Sequence, residues 1–185
     1  MKLDTLIDDI YGQLSELSEG RKFNLSDEDL DLTVSRIKDS LMAWARPSER
    51  NSEFSLRMSN VGRPARQLWY EQNLPSETSV PSPSLQIKFL YGHILEEILL
   101  MLVRASGHEV TDEQKEIAVK GVKGHIDCKI DGEVVDIKTA SKFSFNKFRE
   151  GRLREDDPFG YMSQLAGYEE AEKSSEGGFL VINKE

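Results

Sequence analysis

The sequence predicts a mixed α/β (α+β) protein in which a small mixed β-sheet is flanked by helices and preceded by an N-terminal helical extension. Apolar residues recur at helical spacing through the first fifty residues, and a long, almost wholly apolar helix pattern follows at 85–105. Short strand patterns then alternate with helix patterns as far as residue 183. Elements in this order pack as helices against the faces of one sheet.

The composition excludes several classes of protein. With 185 residues the chain is long enough for one domain with a real core. Cys128 is the only cysteine, so neither a disulfide framework nor a cysteine-ligated zinc or iron–sulfur site can form within one chain, and we expect a cytoplasmic protein. No apolar run has the length of a signal sequence or a membrane span, so no membrane partner is expected. The net charge of −9 argues against nucleic-acid binding through bulk charge, so any DNA contact must be local.

The extension, residues 1–50, is predicted to form two helices that cap the rest of the molecule. The first carries an apolar stripe and ends at Gly20; its members are Leu3, Leu6, Ile7, Ile10, Leu14 and Leu17. Ser26, followed by Asp29, resembles a capping box and begins the second helix, which ends at Pro47.

Residues 51–185 are predicted to form the main domain. A segment at 72–84, rich in proline and serine, is expected to be a surface loop, and the buried helix after it ends at Gly107. Strands are predicted at 115–122, 124–130, 133–139 and 178–183, and helices at 143–150 and 158–173. Because the chain stops two residues after the last strand, we expect it to be truncated there or to continue in a longer protein.

The register of one hairpin can be derived from its turn. Asp131-Gly132 is a favoured two-residue turn, and counting outward from it pairs Cys128 with Val135 and Asp127 with Asp136. Lys138 returns to the face of the two aspartates. The opposite, apolar face is expected to hold the hairpin to the core; its members are Ile126, Cys128, Val135 and Ile137.

Two carboxylates in opposed positions repel each other unless something offsets their charge. A divalent cation bound through oxygen atoms would do so, and Mg²⁺ suits a site with few protein ligands. The alternative is that Asp127 and Asp136 lie on the solvated face of an exposed hairpin, where aspartate is common.

Three motifs together resemble the PD-(D/E)XK nuclease superfamily, in particular its RecB-like and lambda-type exonuclease branch. Asp127 and Asp136-Ile137-Lys138 are similar to its D…(D/E)-x-K motif, with Ile126 in place of a loosely kept proline. Gln164 and Tyr168 match the Q-x-x-x-Y motif, and the segment from Gly92 to Glu96 is similar to the upstream G-x-x-x-(H/E) motif. The iron–sulfur members carry a cysteine near the position of Ala65, so this chain resembles the members that lack a cluster.

The resemblance implies a restriction-endonuclease-like core and a set of site residues. Asp127, Asp136, Glu96 and the backbone carbonyl of Ile137 would bind Mg²⁺ or Mn²⁺, and Lys138 would act on the reacting groups. Glu97 competes with Glu96, because the phase of an almost wholly apolar helix is ambiguous. For Lys138 the alternative is a plain salt bridge, and for the two glutamates it is a helix surface exposed to solvent.

Other residues are candidates for contact with DNA. Gln164 and Tyr168 share one helix face and would contact the DNA backbone or a base, although core packing is the alternative for Tyr168. Arg63 and Arg66 would bind phosphates or, alternatively, pair with carboxylates. The most basic stretch interleaves with phenylalanines and predicts either a DNA groove or an amphipathic helix; its cations are Lys142, Lys147, Arg149 and Arg152.

The function that the resemblance implies is a metal-dependent DNA exonuclease acting in viral or bacterial DNA recombination, replication or degradation. An endonuclease of the same superfamily and a catalytically silent DNA-binding module are the alternatives. Linear duplex or single-stranded DNA ends would be the partner, and a homo-oligomer or a recombination or replication partner protein would be consistent with the family.

Overall fold

The computed structural model describes residues 3–46, 54–74 and 81–185, and this part of the chain contains six helices and six strands. The helices are α1 (Leu6–Ser18), α2 (Asp27–Ala45), α3 (Ala65–Asn73), α4 (Pro83–Ala105), α5 (Lys142–Arg149) and α6 (Tyr161–Glu172). The strands are β1 (Val110–Thr111), β2 (Glu116–Val119), β3 (Val122–His125), β4 (Cys128–Ile130), β5 (Glu133–Ala140) and β6 (Gly177–Asn183). The predicted mixed α/β class, a small mixed sheet flanked by helices, is confirmed.

The main sheet has the strand order β1-β4-β5-β6, and a separate two-stranded sheet pairs β2 with β3. β1, β4 and β5 are antiparallel neighbours, whereas β6 runs parallel to β5 after the crossover through α5 and α6. Asp131 and Gly132 both have positive φ, as the predicted turn requires, and the pairing of Cys128 with Val135 is confirmed. The turn therefore sets the register of β5.

The prediction of one continuous strand at 124–130 is wrong, because residues 126–127 interrupt it and separate β3 from β4. The Ile126 amide donates to the Lys115 carbonyl, and the Asp127 carbonyl accepts from the Gln114 amide. These bonds to the preceding segment replace the pairing to β5 that a continuous strand would have made.

The break also redistributes the core. Cys128, Val135 and Ile137 pack in one apolar cluster with α1 and α4, as predicted. Ile126 instead packs on the other side of the sheet with Val134 and Tyr168, so its predicted place on the same face as Cys128 is wrong. The sheet is thus covered on both faces, by α1 and α4 on one side and by α6 on the other.

The N-terminal helices pack tightly on this arrangement. Leu6 and Ile10 of α1 lie in the same cluster as α4. The fully buried imidazole of His108 joins α1 to the β4–β5 turn, with Nδ1 2.7 Å from Asp131 Oδ2 and Nε2 3.1 Å from Asp9 Oδ2. Ser26 caps α2 by accepting from the Asp29 amide, as predicted.

Some sequence predictions cannot be compared with the structure. Pro47, the boundary at residues 50 and 51, and residues 75–80 of the loop at 72–84 lie outside the described residues. Among the residues that are described, no helix combines the length and apolar character needed to cross a membrane.

One close backbone approach fixes the start of α6. A Cβ atom added to Gly62 would lie 2.5 Å from the Cα of Gly160, which itself has a φ of 77°. The Cα of Gly160 and its carbonyl oxygen, 2.8 Å from the added Cβ, belong to the backbone, so neither can move aside as a flexible side chain would. The segment that carries Arg63 therefore depends on glycine at position 62 for its contact with α6.

We expect Gly62→Ala to destabilise the protein by ~1–3 kcal/mol through this backbone clash, which lowers the melting temperature by roughly 2–4 °C per kcal/mol. Gly12→Ala is the matched control: it lies inside α1, no atom lies within 4 Å of the added Cβ, and alanine favours a helix by up to ~1 kcal/mol. Thermal unfolding measures both. Equal melting temperatures for the two variants would contradict the close approach.

Candidate active site

The centre of the candidate site is Asp136, in the middle of β5. Its side chain is fully buried, and neither carboxylate oxygen has a partner in hydrogen-bond geometry among the described residues. Lys138 Nζ lies 2.5 Å from Oδ2 and forms an ion pair outside hydrogen-bond angles. Burial raises the pKa of Asp136 to about 6, with a further rise from the charge of Asp127, while Lys138 lowers it. A buried carboxylate whose charge is met by one ammonium alone is costly, so this position is suited to a ligand that supplies further positive charge.

Asp127 approaches β5 from the break between β3 and β4. The predicted cross-strand pairing of Asp127 with Asp136 is absent from the ladder, because regular pairing ends at Cys128 and Val135. Instead, Asp127 Oδ2 accepts a hydrogen bond from the Ile137 amide at 2.7 Å. Burial raises its pKa against the lowering effects of Lys138 and of this bond. The two carboxylates are still brought together, by a different local route from the one the register implied.

Glu96 of α4 faces the two aspartates. Burial raises its pKa to about 8, and the charge of Asp127 is the next contribution, followed by smaller effects that include Asp136 and Lys138. Its Oε1 accepts from Gln114 Nε2 at 3.0 Å. All four predicted catalytic residues, Glu96, Asp127, Asp136 and Lys138, therefore influence one another electrostatically.

Glu97 points to a different environment, which resolves the ambiguity of helix phase in favour of Glu96. Burial raises the pKa of Glu97, and the charges that act on it belong to Arg36, Glu113 and Arg104. Arg36 and Arg104 both form ion pairs with Glu113, at 3.3 and 2.6 Å. Glu97 thus belongs to a buried ionic group between α2 and α4.

Two cavities meet at Glu96 and His93 and open the site to solvent. One, of about 360 Å³, lies between α4 and the end of β5 and includes Ile137 and Lys138 in its wall. The other, of about 570 Å³, lies between α2 and α4 and includes Asp127. Solvent therefore reaches the acidic groups from both sides of α4.

The donor set suits a cation with oxygen ligands and an incomplete protein shell. No group of three or more His, Cys, Asp or Glu side chains in the described ranges is gathered closely enough to enclose a metal ion. What the site offers is two neighbouring carboxylates, the carbonyl of Ile137, and Glu96 across the cleft. Mg²⁺ is commonly held by one or two carboxylates together with water and phosphate oxygens. Oδ1 of Asp136, which has no partner among the described residues, fits such an ion.

Gln164 and Tyr168 do not occupy the exposed position that a DNA contact would need. Both are buried, and Gln164 Nε2 donates to the Tyr168 hydroxyl at 2.6 Å. Tyr168 packs with Met58 and Ile126, so the alternative of core packing describes its place in the structure. Burial raises the pKa of Tyr168, the hydrogen bond with Gln164 lowers it, and the charges of Asp136 and Asp127 raise it further, so the pair lies near the two aspartates.

The predicted arginines lie beside the start of α6. Arg63 pairs with Glu71 at 3.1 Å, as the alternative reading expected, and its charge also acts on Tyr161. Arg66 is exposed and lies 5.7 Å from the centre of the Tyr70 ring. Arg66 therefore keeps its charge available at the surface.

The basic stretch is largely engaged in local pairs. Lys147 pairs with Asp156, while Arg149 and Arg152 pair with Glu150. Lys142 is exposed and forms no ion pair within the described part of the chain. α5 is amphipathic in part, since Phe148 stacks on Tyr161 and meets Phe179 edge to face, whereas Phe143 is 71% exposed. Some residues of this stretch thus fit an amphipathic helix, and others, such as Lys142, remain free to line a groove.

Sequence reasoning missed Tyr161, whose ring centre lies 5.1 Å from Lys138 Nζ. It also missed Lys88 and Lys184, which line the same cavity as Lys138. For Lys88 a signal was available, because it lies eight residues before Glu96 and hence on nearly the same helix face. Tyr161 and Lys184 come close only through the parallel pairing of β5 with β6, which their spacing does not indicate.

Comparisons with models of protein families, with curated proteins and with solved structures give no significant match. The geometry of the site and the motifs therefore carry the functional argument.

The raised pKa of Glu96 predicts a pH-dependent stability. A carboxyl group with a higher pKa in the folded state keeps a proton that the unfolded chain releases, so stability falls as pH rises between the two values. For Glu96 this window runs from 4.5 to about 8. In chelator, the melting temperature of Glu96→Gln minus that of the wild type should therefore increase by at least ~3 °C when the pH is raised from 5 to 8.5. Glu155→Gln, at an exposed position, is the control. Parallel curves of melting temperature against pH for Glu96→Gln and the wild type would refute the raised pKa of Glu96.

Proposed function

We propose that this protein is a metal-dependent nuclease that hydrolyses DNA phosphodiester bonds on a restriction-endonuclease-like core. The observation that carries the proposal is Asp136, a fully buried carboxylate whose only charged partner at contact distance among the described residues is the amine of Lys138. The charge of Asp127 acts on it, and the charges of both aspartates and of Lys138 act on Glu96. A buried acidic pair with an adjacent lysine is a costly arrangement for stability alone, and perturbed groups in an open cleft favour a catalytic role.

The side chains supply complementary parts of the reaction. Hydrolysis forms a bond from a water oxygen to phosphorus and breaks the bond to the leaving oxygen, with one proton lost by the water and one gained by the leaving group. Asp127, Asp136 and the Ile137 carbonyl would hold Mg²⁺ or Mn²⁺, and Glu96 would complete the shell through a bound water molecule, since Mg²⁺ usually keeps several waters. The cation would lower the pKa of the water and neutralise charge on the phosphate. Lys138 would donate a hydrogen bond to the water or to a phosphate oxygen from its place beside Asp136.

The exonuclease assignment rests on the resemblance to RecB-like and lambda-type enzymes. What supports it is the order of the three motifs together with the convergence of Glu96, Asp127, Asp136 and Lys138. End-labelled linear DNA and closed circular DNA, each incubated with Mg²⁺ or with chelator, test it directly. We expect degradation of the linear substrate only, and only with metal. Cutting of closed circles would instead identify an endonuclease, and no cutting of either would favour the silent DNA-binding module.

Metal binding can be tested without activity. If Asp136 is a ligand, Mg²⁺ at ~100 times its dissociation constant should stabilise the wild type by ~2.7 kcal/mol, or roughly 5–10 °C. Asp136→Asn should lose most of this gain, whereas Asp31→Asn on the exposed side of α2 should keep it. Melting curves with Mg²⁺ and with chelator give the comparison. Equal gains in wild type and Asp136→Asn would remove Asp136 from the metal site.

Lys138→Ala should lower the rate of DNA cleavage by ~100-fold or more, the usual cost of losing one group that stabilises the transition state. The gain in melting temperature with Mg²⁺ should remain, because lysine is not a metal ligand. Lys22→Ala, an exposed position outside the cleft, is the control. Since Lys138 also pairs with Asp136, Lys138→Gln serves as a second variant if the alanine variant folds poorly. Cleavage within tenfold of wild type in a folded variant would exclude the role.

A further inference from the structure

The cavity between α4 and the end of β5 is built from one continuous helix face and one strand end. Its α4 wall follows helical spacing: Leu85, Lys88, Phe89, Gly92, His93 and Glu96. The opposite wall contains Lys138, Tyr161 and Lys184. Gly92 lies against the strand end, where a Cβ added to it would make an ordinary contact 3.4 Å from the Thr139 hydroxyl oxygen. The cavity is therefore a formed cleft that ends at the candidate catalytic groups.

Its charge is opposite to that of the protein as a whole. Three lysines, Lys88, Lys138 and Lys184, line it against the single acidic residue Glu96. Within the described residues, neither Lys88 nor Lys184 forms an ion pair, although most cations near the site do. The Lys184 amide donates to the Ala140 carbonyl, which fixes this residue at the end of β5. On a chain with a net charge of −9, two uncompensated lysines beside an acidic centre favour an anionic ligand.

The second cavity, between α2 and α4, has the reverse character. Asp39, Glu96, Glu97 and Asp127 line it with one cation, Arg36. Arg36 is already paired with Glu113. A polyanion would therefore be repelled from this side of α4 and attracted to the lysine side.

We infer that the cleft between α4 and β5 binds one nucleotide of a single-stranded DNA segment next to the bond that is cut. Lys88 and Lys184 contact its phosphate, and the ring of Phe89 stacks against its base. The inference deepens the proposed nuclease function and rests on it for the position of the cut bond. Phe89 is 44% exposed and takes part in no aromatic pair among the described rings, so one face is open for stacking. The volume of about 360 Å³ lies at the lower end of the range of small-ligand pockets, as a single nucleotide requires.

The test is equilibrium binding of a fluorescently labelled single-stranded DNA of about eight nucleotides in chelator, where no metal-dependent cleavage occurs. The double variant Lys88→Ala/Lys184→Ala should bind ~10-fold more weakly or worse, because two charge-assisted contacts are lost. The slope of log affinity against log salt should also fall by ~0.7, since one fewer phosphate is neutralised. Phe89→Ala should weaken binding by ~5-fold or more without changing that slope.

Each variant has a matched control outside the cleft. Lys22→Ala/Lys38→Ala removes the same charge from two exposed positions, and Ile87→Ala shortens an exposed apolar side chain of α4 two residues from Phe89. Both controls should bind like the wild type. Wild-type affinity and slope in the double lysine variant, or no binding by the wild-type protein, would overturn the inference.

The outcomes also separate the inference from the proposed function. Weaker binding in the cleft variants, with no cleavage of any DNA in Mg²⁺, would leave a nucleotide-binding cleft and refute the nuclease. Metal-dependent cleavage by a wild type whose cleft variants bind and cut normally would keep the nuclease and refute the cleft.

Discussion

The burial of the Asp136 carboxylate in the middle of the sheet is the constraint on which the arrangement of the site depends. A charged group in that position must be compensated, and the fold places Lys138 beside it and leaves its oxygens otherwise without donors. The strand that carries it is held by antiparallel pairing to β4 and parallel pairing to β6, so its direction is fixed on both sides. Glu96 and Asp127 then meet the same point from α4 and from the break after β3. Such rigidity is what a site needs to keep like charges close together.

The hairpin could be predicted from the sequence because its information is local. Asp131-Gly132 specifies both the turn and the register, and the alternation of Val135 and Ile137 with Asp136 follows from strand geometry. The break at Ile126 and Asp127 could not be predicted in this way. It depends on hydrogen bonds to Gln114 and Lys115, which compete with the ladder and have no signal in the hairpin itself.

The remaining errors and gaps have related causes. α4 is apolar on most of its surface, so periodicity could not separate Glu96 from Glu97; the ionic partners of Glu97 on α2 and at Glu113 make the distinction. Gln164 and Tyr168 are polar in sequence but satisfy each other inside the protein, which makes a buried pair look like a surface motif. Conversely, the acidic composition masks a local reversal of charge, because Lys88 and Lys184 are far apart in the chain and meet only across the cleft.

The parallel pairing of β5 with β6 has a consequence for folding. The β4–β5 hairpin can close through a two-residue turn, whereas β6 pairs with β5 only after residues 141–176 have been spanned. Contacts between distant parts of a chain form slowly because the loop must first be closed at an entropic cost. Lys138 is paired with Val181, and Lys184 follows that strand, so the Lys184 wall of the cleft is absent until β6 has paired with β5. During synthesis on the ribosome, the hairpin that carries Asp136 and Lys138 could therefore close before this wall forms, and the cavity would stand open at the end of β5 until β6 had docked.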